Sequence, residues 1–332
     1  MSKRVAVLTS GGDAPGMNAC IRAIVIACQK SGYEPIGYLH GYNGLLNQEF
    51  VSLSLDSTHN LIQQGGTILH SARCKEFTEE AGVKKAAANL VEAGIDALLV
   101  IGGDGSFKGA TYLSDYFHGQ IIGIPGTIDN DIAGTDATIG YYTAIDTAMS
   151  SIDKVRDTAD AFERIFLVEV MGRHAGFLAL NAALSSAADY VILPEHFEST
   201  DAELKNIITQ IHAQRRLKGS VSFIVVVAEN VWPKGLPALT EALNEAGITD
   251  VRPLTLGHVQ RGGAPVSSDR LLATTLGEFA VSLVGTSSNN VMVGEVNSHP
   301  VTVPLDKTSD SKPLNSAQVA LMKTIMNERY DC

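Results

Sequence analysis

Three short stretches combine glycine with aspartate directly after apolar runs. They are Ser10-Gly11-Gly12-Asp13-Ala14-Pro15-Gly16-Met17-Asn18, Gly102-Gly103-Asp104-Gly105-Ser106 and Gly126-Thr127-Ile128-Asp129-Asn130-Asp131. Glycine at a strand-to-helix turn lets the backbone come close to a ligand, and the helix that follows directs free N–H groups at an anion. Phosphate suits such turns. The sequence holds no G-x-x-x-x-G-K-[ST], and Gly11-Gly12-Asp13 departs from G-x-G-x-x-G, which excludes the ordinary P-loop and the dinucleotide fingerprint. One Gly-Gly pair could be only a tight turn; two pairs and a third Gly/Asp turn point to a phosphate site.

The acidic residues in these turns can supply the rest of a phosphoryl-transfer site. Asp104, among glycines at a helix start, is placed to hold magnesium on a nucleotide, since this small hard cation keeps several waters and needs one or two carboxylates plus phosphate oxygens. The alternative is a helix N-cap. In an extended stretch Asp129 and Asp131 would point the same way, so that one could accept a proton from an attacking hydroxyl while the other orients it. Arginines recur beside glycines or strand ends: Arg73 after Gly65-Gly66, Arg164 before a strand, Arg173 after Met171-Gly172, Arg252 at a strand start and Arg261 before Gly262-Gly263. A guanidinium grips phosphate oxygens with two parallel hydrogen bonds. With a net charge of −11, anions must be held by such local groups, and neither nucleic-acid nor acidic-membrane binding is expected.

Placing these turns requires strands that alternate with helices. Strand-like runs cover 4–9, 97–101, 121–125, 165–170, 190–193, 223–228 and 291–296, with helix-like segments near 15–31, 79–93, 140–159, 174–187, 200–217, 267–284 and 315–328. That alternation predicts an α/β fold with largely parallel sheets and helices on both faces. A chain of 332 residues is long enough for two lobes. Hydrophobic residues make up 45% and charged residues 18%, as in a packed enzyme. The longest apolar run, 221–228, is too short to span a bilayer, no signal-peptide pattern opens the sequence, and four cysteines without CxxC spacing predict reduced thiols in a cytoplasm.

Five blocks in order, LTSGGDAPGMNA (8–19), GGDGS (102–106), PGTIDNDI (125–132), VEVMGRHAG (168–176) and LGHVQRGG (256–263), resemble ATP-dependent 6-phosphofructokinase of the bacterial type. The likeness is dense over roughly 3–285. It implies phosphorylation of fructose 6-phosphate by ATP with Mg2+ in glycolysis. It also implies a chain that crosses between lobes more than once, with ATP on 1–139 plus about 258–308 and the sugar phosphate on 140–257 plus about 309–332. By this resemblance Gly12, Arg73, Cys74, Gly103, Gly105 and Ser106 contact ATP and Asp104 holds the metal. Thr127, Ile128 and Asp129 lie at the reacting hydroxyl, with Asp129 as base, and Arg73 and Arg173 neutralise charge on the transferring group. Met171, Gly172, Arg173, Glu229, His258, Val259, Gln260 and Arg261 bind the sugar phosphate. Arg164 and Arg252 match residues supplied by a neighbouring subunit, which implies a homotetramer.

The sequence also departs from the family pattern. Cys74 stands where some members carry an aromatic residue against the nucleotide. In the effector pocket Arg22, Arg156, Asp189 and Lys218 are retained, but Ile26, Leu55 and Ser220 replace basic residues, so an allosteric response is expected to be weak. The pyrophosphate-dependent branch typically carries Asp at the position of Gly105 and Lys at that of Gly126; both are glycine here, which favours ATP. A catalytically silent regulatory subunit is a further alternative, which loss of Asp104, Asp129 or an arginine would have supported.

Overall fold

The computed structural model describes residues 2–219 and 222–327. In chain order the elements are β1 (Arg4–Thr9), α1 (Met17–Lys30), β2 (Glu34–Tyr38), α2 (Tyr42–Asn47), β3 (Phe50–Ser52), α3 (Glu80–Glu92), β4 (Ala97–Gly102), α4 (Asp104–Ser114), β5 (Gln120–Pro125) and α5 (Tyr141–Phe162). There follow β6 (Ile165–Val170), α6 (Phe177–Ser185), β7 (Tyr190–Ile192), α7 (Thr200–Lys218), β8 (Phe223–Ala228), α8 (Gly235–Glu245), β9 (Val251–Thr255), α9 (Ser267–Ser282), β10 (Val291–Val296), β11 (His299–Pro304) and α10 (Ser316–Met322). They fall into two lobes, one made of residues to Thr143 with Arg261–Lys312, the other of Ala144–Gln260 with the segment that starts at Pro313. The chain therefore crosses between lobes three times, at 143/144, 260/261 and 312/313.

The first lobe is built on a seven-stranded sheet in the order β11-β10-β5-β4-β1-β2-β3. Five central strands are parallel, and the edge strands β3 and β11 run antiparallel to their neighbours. Parallel strands buried on both faces need near-continuous apolar sequence, and Ala97–Gly102 is buried at every residue. One face packs on Tyr42, Leu45, Phe77, Leu90 and Phe107. From β1 the chain goes to β2 on one side and returns to β4 on the other, so the order reverses between β1 and β4. In open α/β sheets a ligand crevice forms at the carboxyl ends of strands at such a reversal. The second lobe holds a four-stranded, all-parallel sheet, β7-β8-β6-β9, whose order reverses at β6, between β8 and β9. Phe223–Ala228 and Tyr190–Ile192 are buried at every residue, and β9 is an edge.

Candidate active site

In the first lobe the turns after β1, β4 and β5 are stitched side by side. Ser10 N–H donates to Ile101 O at 3.0 Å, and Gly126 N–H to Gly102 O at 2.9 Å. Gly103 caps α4, and a Cβ there would lie 3.5 Å from Thr127. Asp104 is the first residue inside α4, so it is not the N-cap. Its carboxylate accepts from Lys108 Nζ at 2.7 Å and from the Ser309 hydroxyl. Lys108 is 64% exposed, and such a surface pair contributes little, so it can yield to a cation. No group of three or more His, Cys, Asp and Glu side chains able to hold a metal is found among the described residues. One hard oxygen donor beside a glycine turn at a helix start fits magnesium carried by a nucleotide, whose remaining ligands are waters and phosphate oxygens.

The turn after β5 is enclosed. Thr127, Ile128, Asp129 and Asn130 are all buried, and Asp129 N–H donates to Thr127 Oγ1 at 3.3 Å. Ile128 is fully buried, so its side chain packs in the core rather than facing a ligand. Asn130 has φ 55°, in the left-handed region. The stretch is therefore not extended, which corrects the expectation that Asp129 and Asp131 share a direction; Asp129 is buried and Asp131 half-buried. Thr138 fastens the turn by donating to Thr127 O at 2.5 Å. Further along, buried Asp269 at the start of α9 accepts from Gly140 N–H (2.9 Å), Thr143 N–H (2.7 Å) and the Thr143 hydroxyl (2.5 Å). Burial holds its carboxyl above the usual range, and these hydrogen bonds oppose that rise.

Around the β1 turn the structure gathers residues far apart in sequence. Arg261 donates to Asp13 O at 3.0 Å, and its guanidinium lies 2.5 Å from where a Cβ on Gly12 would stand. Asn18, buried at the start of α1, donates to Gly65 O (3.0 Å) and accepts from Ile68 N–H (2.8 Å), pinning the loop that leads to Arg73. A cavity of about 520 Å³ lies between these segments, lined by Gly11, Gly12, Asp13, Gly66, Thr67 and Ser71 together with His40 and His70. The two imidazoles stack at 4.9 Å, 11° from parallel. Arg73 is exposed on the same loop, Ser106 is buried, and nothing lies within 4 Å of a Cβ on Gly105. Cys74 packs against the core, and burial pushes its thiol up. Neither histidine of this pair lies in one of the five blocks.

In the second lobe the sugar-site candidates of that lobe divide between opposite ends of one sheet. At the carboxyl ends, Met171 N–H donates to the fully buried Gln260 at 2.9 Å, Arg173 N–H to Glu229 Oε2 at 3.0 Å, and Asn230 Nδ2 to Arg173 O at 2.9 Å. Arg173 has φ 60° and Gly172 φ 143°, a reversal that leaves the Arg173 side chain exposed. His258 and Val259 are exposed after β9. Glu169 of β6 is buried enough that its carboxyl is raised, while Thr255 donates to it at 3.2 Å. Arg164 and Arg252 stand at the amino ends of β6 and β9, where Arg252 pairs with Phe166 and reaches Asp250 at 3.4 Å. Arg164 precedes the 6-residue strand β6 and Met171 follows it, so the two lie about 23 Å apart along the sheet at about 3.3 Å per residue.

The effector candidates are placed as follows. Arg22 is half-buried on α1, in the first lobe. In the second, Arg156 on α5 donates to Ser186 O and Ala187 O, both at 2.9 Å, and lies 3.8 Å from Asp189, which accepts from Ile224 N–H. The Lys218 side chain and Ser220 lie outside the described residues.

Residues 4–284 match the sequence profile of a family described as Phosphofructokinase. This chain belongs to the phosphofructokinase family. It is 46% identical over 324 residues to a Thermus thermophilus protein named ATP-dependent 6-phosphofructokinase 1, covering 97% of this chain and 99% of that one. The solved phosphofructokinase of Saccharomyces cerevisiae superposes with a TM-score of 0.85 at 33% identity over 99% of this chain; the chain spans 48% of that longer one. A pyrophosphate-dependent phosphofructokinase from Marinobacter aquaeolei has the same fold, with a TM-score of 0.83 at 20% identity over 98% of this chain and 92% of that one. The two-lobed fold is thus common to family members named for different phosphoryl donors, and the donor must be argued from particular side chains.

Proposed function

We propose that this protein moves the terminal phosphoryl group of ATP to the C1 hydroxyl of fructose 6-phosphate, as a glycolytic enzyme of the cytoplasm. The observation that carries this reading is the enclosed Thr127–Asp129 turn set directly against the Gly103–Asp104 turn at the start of α4. A base and a phosphate-binding helix start stand side by side there.

Phosphoryl transfer is mainly positioning and charge neutralisation. Asp129 accepts the hydroxyl proton as the oxygen attacks phosphorus, a new O–P bond forms, the bond to the bridging oxygen breaks and ADP leaves. Thr127 holds the turn that orients Asp129. Asp104 would hold magnesium, which supplies positive charge beside the phosphate oxygens. Gly12, Gly103, Gly105 and Ser106 bind ATP by close backbone approach, with Cys74 beside them, while Arg73 and Arg173 neutralise charge on the group in flight. Met171, Gly172, Glu229, His258, Val259, Gln260 and Arg261 bind the sugar phosphate.

The position of Gly105 supports ATP as donor. Open space surrounds it, so packing does not demand glycine there; in this reading the passing phosphates do. Gly126 differs, because a Cβ would lie 2.8 Å from Ile101, so core packing alone accounts for that glycine. Arg164 and Arg252 support a homotetramer. Lying about 23 Å (Arg164) and about 16 Å (Arg252, level with Phe166) from Met171 along their own sheet, they serve a sugar-phosphate site only if it belongs to a neighbour. A coupled assay that supplies fructose 6-phosphate with ATP or with pyrophosphate tests the reading: turnover with ATP alone is expected, and turnover confined to pyrophosphate, or none, overturns it.

A further inference from the structure

Lys312 closes the first lobe; Pro313 already belongs to the second. It lies in the tail, beyond the five blocks that mark the family, and nothing in its sequence surroundings singles it out. Its ammonium donates to Asn130 Oδ1 at 2.9 Å and to Asp136 O at 3.4 Å. Asn130 in turn donates to Asp136 O at 3.3 Å. Asn130 is the residue that turns the chain between Asp129 and Asp131, in a left-handed conformation that asparagine tolerates better than other side chains, and its side-chain bonds fix it there. The charged groups that face Lys312 are Asp131 and Asp136, both on the loop from β5 to α5. The same tail segment reaches the neighbouring turn, where Ser309 donates to Asp104.

We propose that Lys312 is a positioning residue for phosphoryl transfer, holding Asn130 so that the Asp129 carboxylate keeps its place in the turn, and that it does so in its charged form. The inference rests on the kinase reading given above. Burial, opposed by Asp136 and Asp131, pulls the Lys312 ammonium down to about 8. Turnover should then fall as pH rises through about 8, as the charge that ties the tail to Asp131 and Asp136 is lost. Folding should not fall with it. A lysine whose folded value is depressed binds fewer protons folded than unfolded, so its contribution to stability rises between about 8 and its ordinary value of 10.5. Loss of turnover without loss of fold is the signature.

Three measurements on the full-length enzyme test this. The wild-type turnover profile should show an alkaline limb near pH 8 while thermal melting does not fall; a flat profile overturns the inference even if ATP-dependent activity is normal. Lys312→Arg, whose charge does not titrate in this range, should keep measurable turnover and lose the limb; a limb left at the same pH assigns it to another group and sinks the proposal. Lys312→Met should lower kcat by about tenfold or more with little change in KM for either substrate, the result of a displaced reacting group rather than a lost binding contact. Competitive acetylation of the native amine, followed by peptide mass spectrometry, gives its titration without any assay of turnover. If ATP-dependent turnover is absent, the kinase reading fails; if Lys312 titrates at the ordinary lysine value, the positioning inference fails on its own.

Discussion

In the seven-stranded sheet the turns after β1, β4 and β5 are made of glycines and short polar residues, whereas in the four-stranded sheet the equivalent turns carry Met171, Arg173, Glu229 and His258. The first set offers backbone amides and close approach, and it is held by polar staples from distant segments: Asn18, Arg261, Asp269, Ser309 and Lys312. The second set offers side chains, with the backbone pinned by Gln260 and Glu229. A polyphosphate is bound through many similar oxygens, for which repeated N–H groups suffice. A sugar phosphate needs an array of different donors and acceptors, which only side chains supply. The difference predicts that substitutions in the first set damage chemistry or nucleotide use, and that substitutions in the second damage sugar-phosphate use.

The largest effect is expected at buried Asp129, the proposed base. Asp129→Asn should lower kcat by about 100- to 10,000-fold, the range for loss of a general base, while fructose 6-phosphate still binds. Steady-state kinetics beside an equilibrium binding measurement would show it. Near-normal turnover in a folded variant would remove Asp129 from the mechanism and with it the chemical role of the first set.

The division of the sugar-site arginines between opposite ends of one sheet can be broken or sharpened by mixing variants. If Arg252 acts across a subunit boundary, Asp129→Asn and Arg252→Ala chains are each inactive alone, yet a mixed oligomer rebuilds sites in which both residues are intact. Refolding the two together should recover several-fold more activity than either parent, and the recovered activity should fall on dilution as the oligomer dissociates. Hybrids confirmed as mixed by mass spectrometry but still inactive would place Arg252 in its own chain's site.

Two glycines of the first set separate a ligand requirement from a packing requirement. Gly105→Asp enters open space, so melting should be unchanged while KM for ATP rises about tenfold or more through repulsion of the phosphates. Gly126→Ala meets Ile101 at 2.8 Å and should cost about 1–3 kcal/mol of stability with a smaller effect on KM. An unchanged KM in the first variant would show that Gly105 does not line the nucleotide site.

Much of this arrangement is legible from local sequence because its causes are local. Strands β1, β6, β8 and β10 are predominantly apolar runs and match the expected bounds, and the Gly/Asp turns lie directly after the apolar runs of β1, β4 and β5. What escapes has non-local causes. Strand β2 begins Glu-Pro and contains glycine, and it is a strand because β1 pairs with it. Helix α4 carries Gly105 and Gly109, which lower its intrinsic propensity. The His40–His70 stack and the Asn130–Lys312 bond join residues 30 and 182 positions apart, as no local pattern can show. Asn18 sits inside a recognised block, yet its role as a staple for the 64–68 loop is visible only once that loop is in place.

The smallest effect is expected from effectors. An anionic regulator needs cationic side chains free to turn toward it, because a buried charge without partners is costly. In the second lobe the Arg156 guanidinium is already engaged, donating to two carbonyls at 2.9 Å just past the end of α6 and lying 3.8 Å from Asp189. In the first lobe Ile26 is half-buried and Leu55 is 49% exposed, so two of the positions where basic residues would gather an anion offer only apolar surface. Arg22 remains there, half-buried on α1. One arginine gives an anion little differential affinity between two states of an enzyme, and an effector shifts an equilibrium only by that difference. Phosphoenolpyruvate and ADP should therefore change the half-saturating concentration of fructose 6-phosphate by less than about 5-fold, the lower edge of ordinary allosteric coupling. Saturation curves at fixed ATP with and without each effector would decide it, and a larger, cooperative shift that disappears in Arg22→Ala would show that this arginine suffices for an anion site.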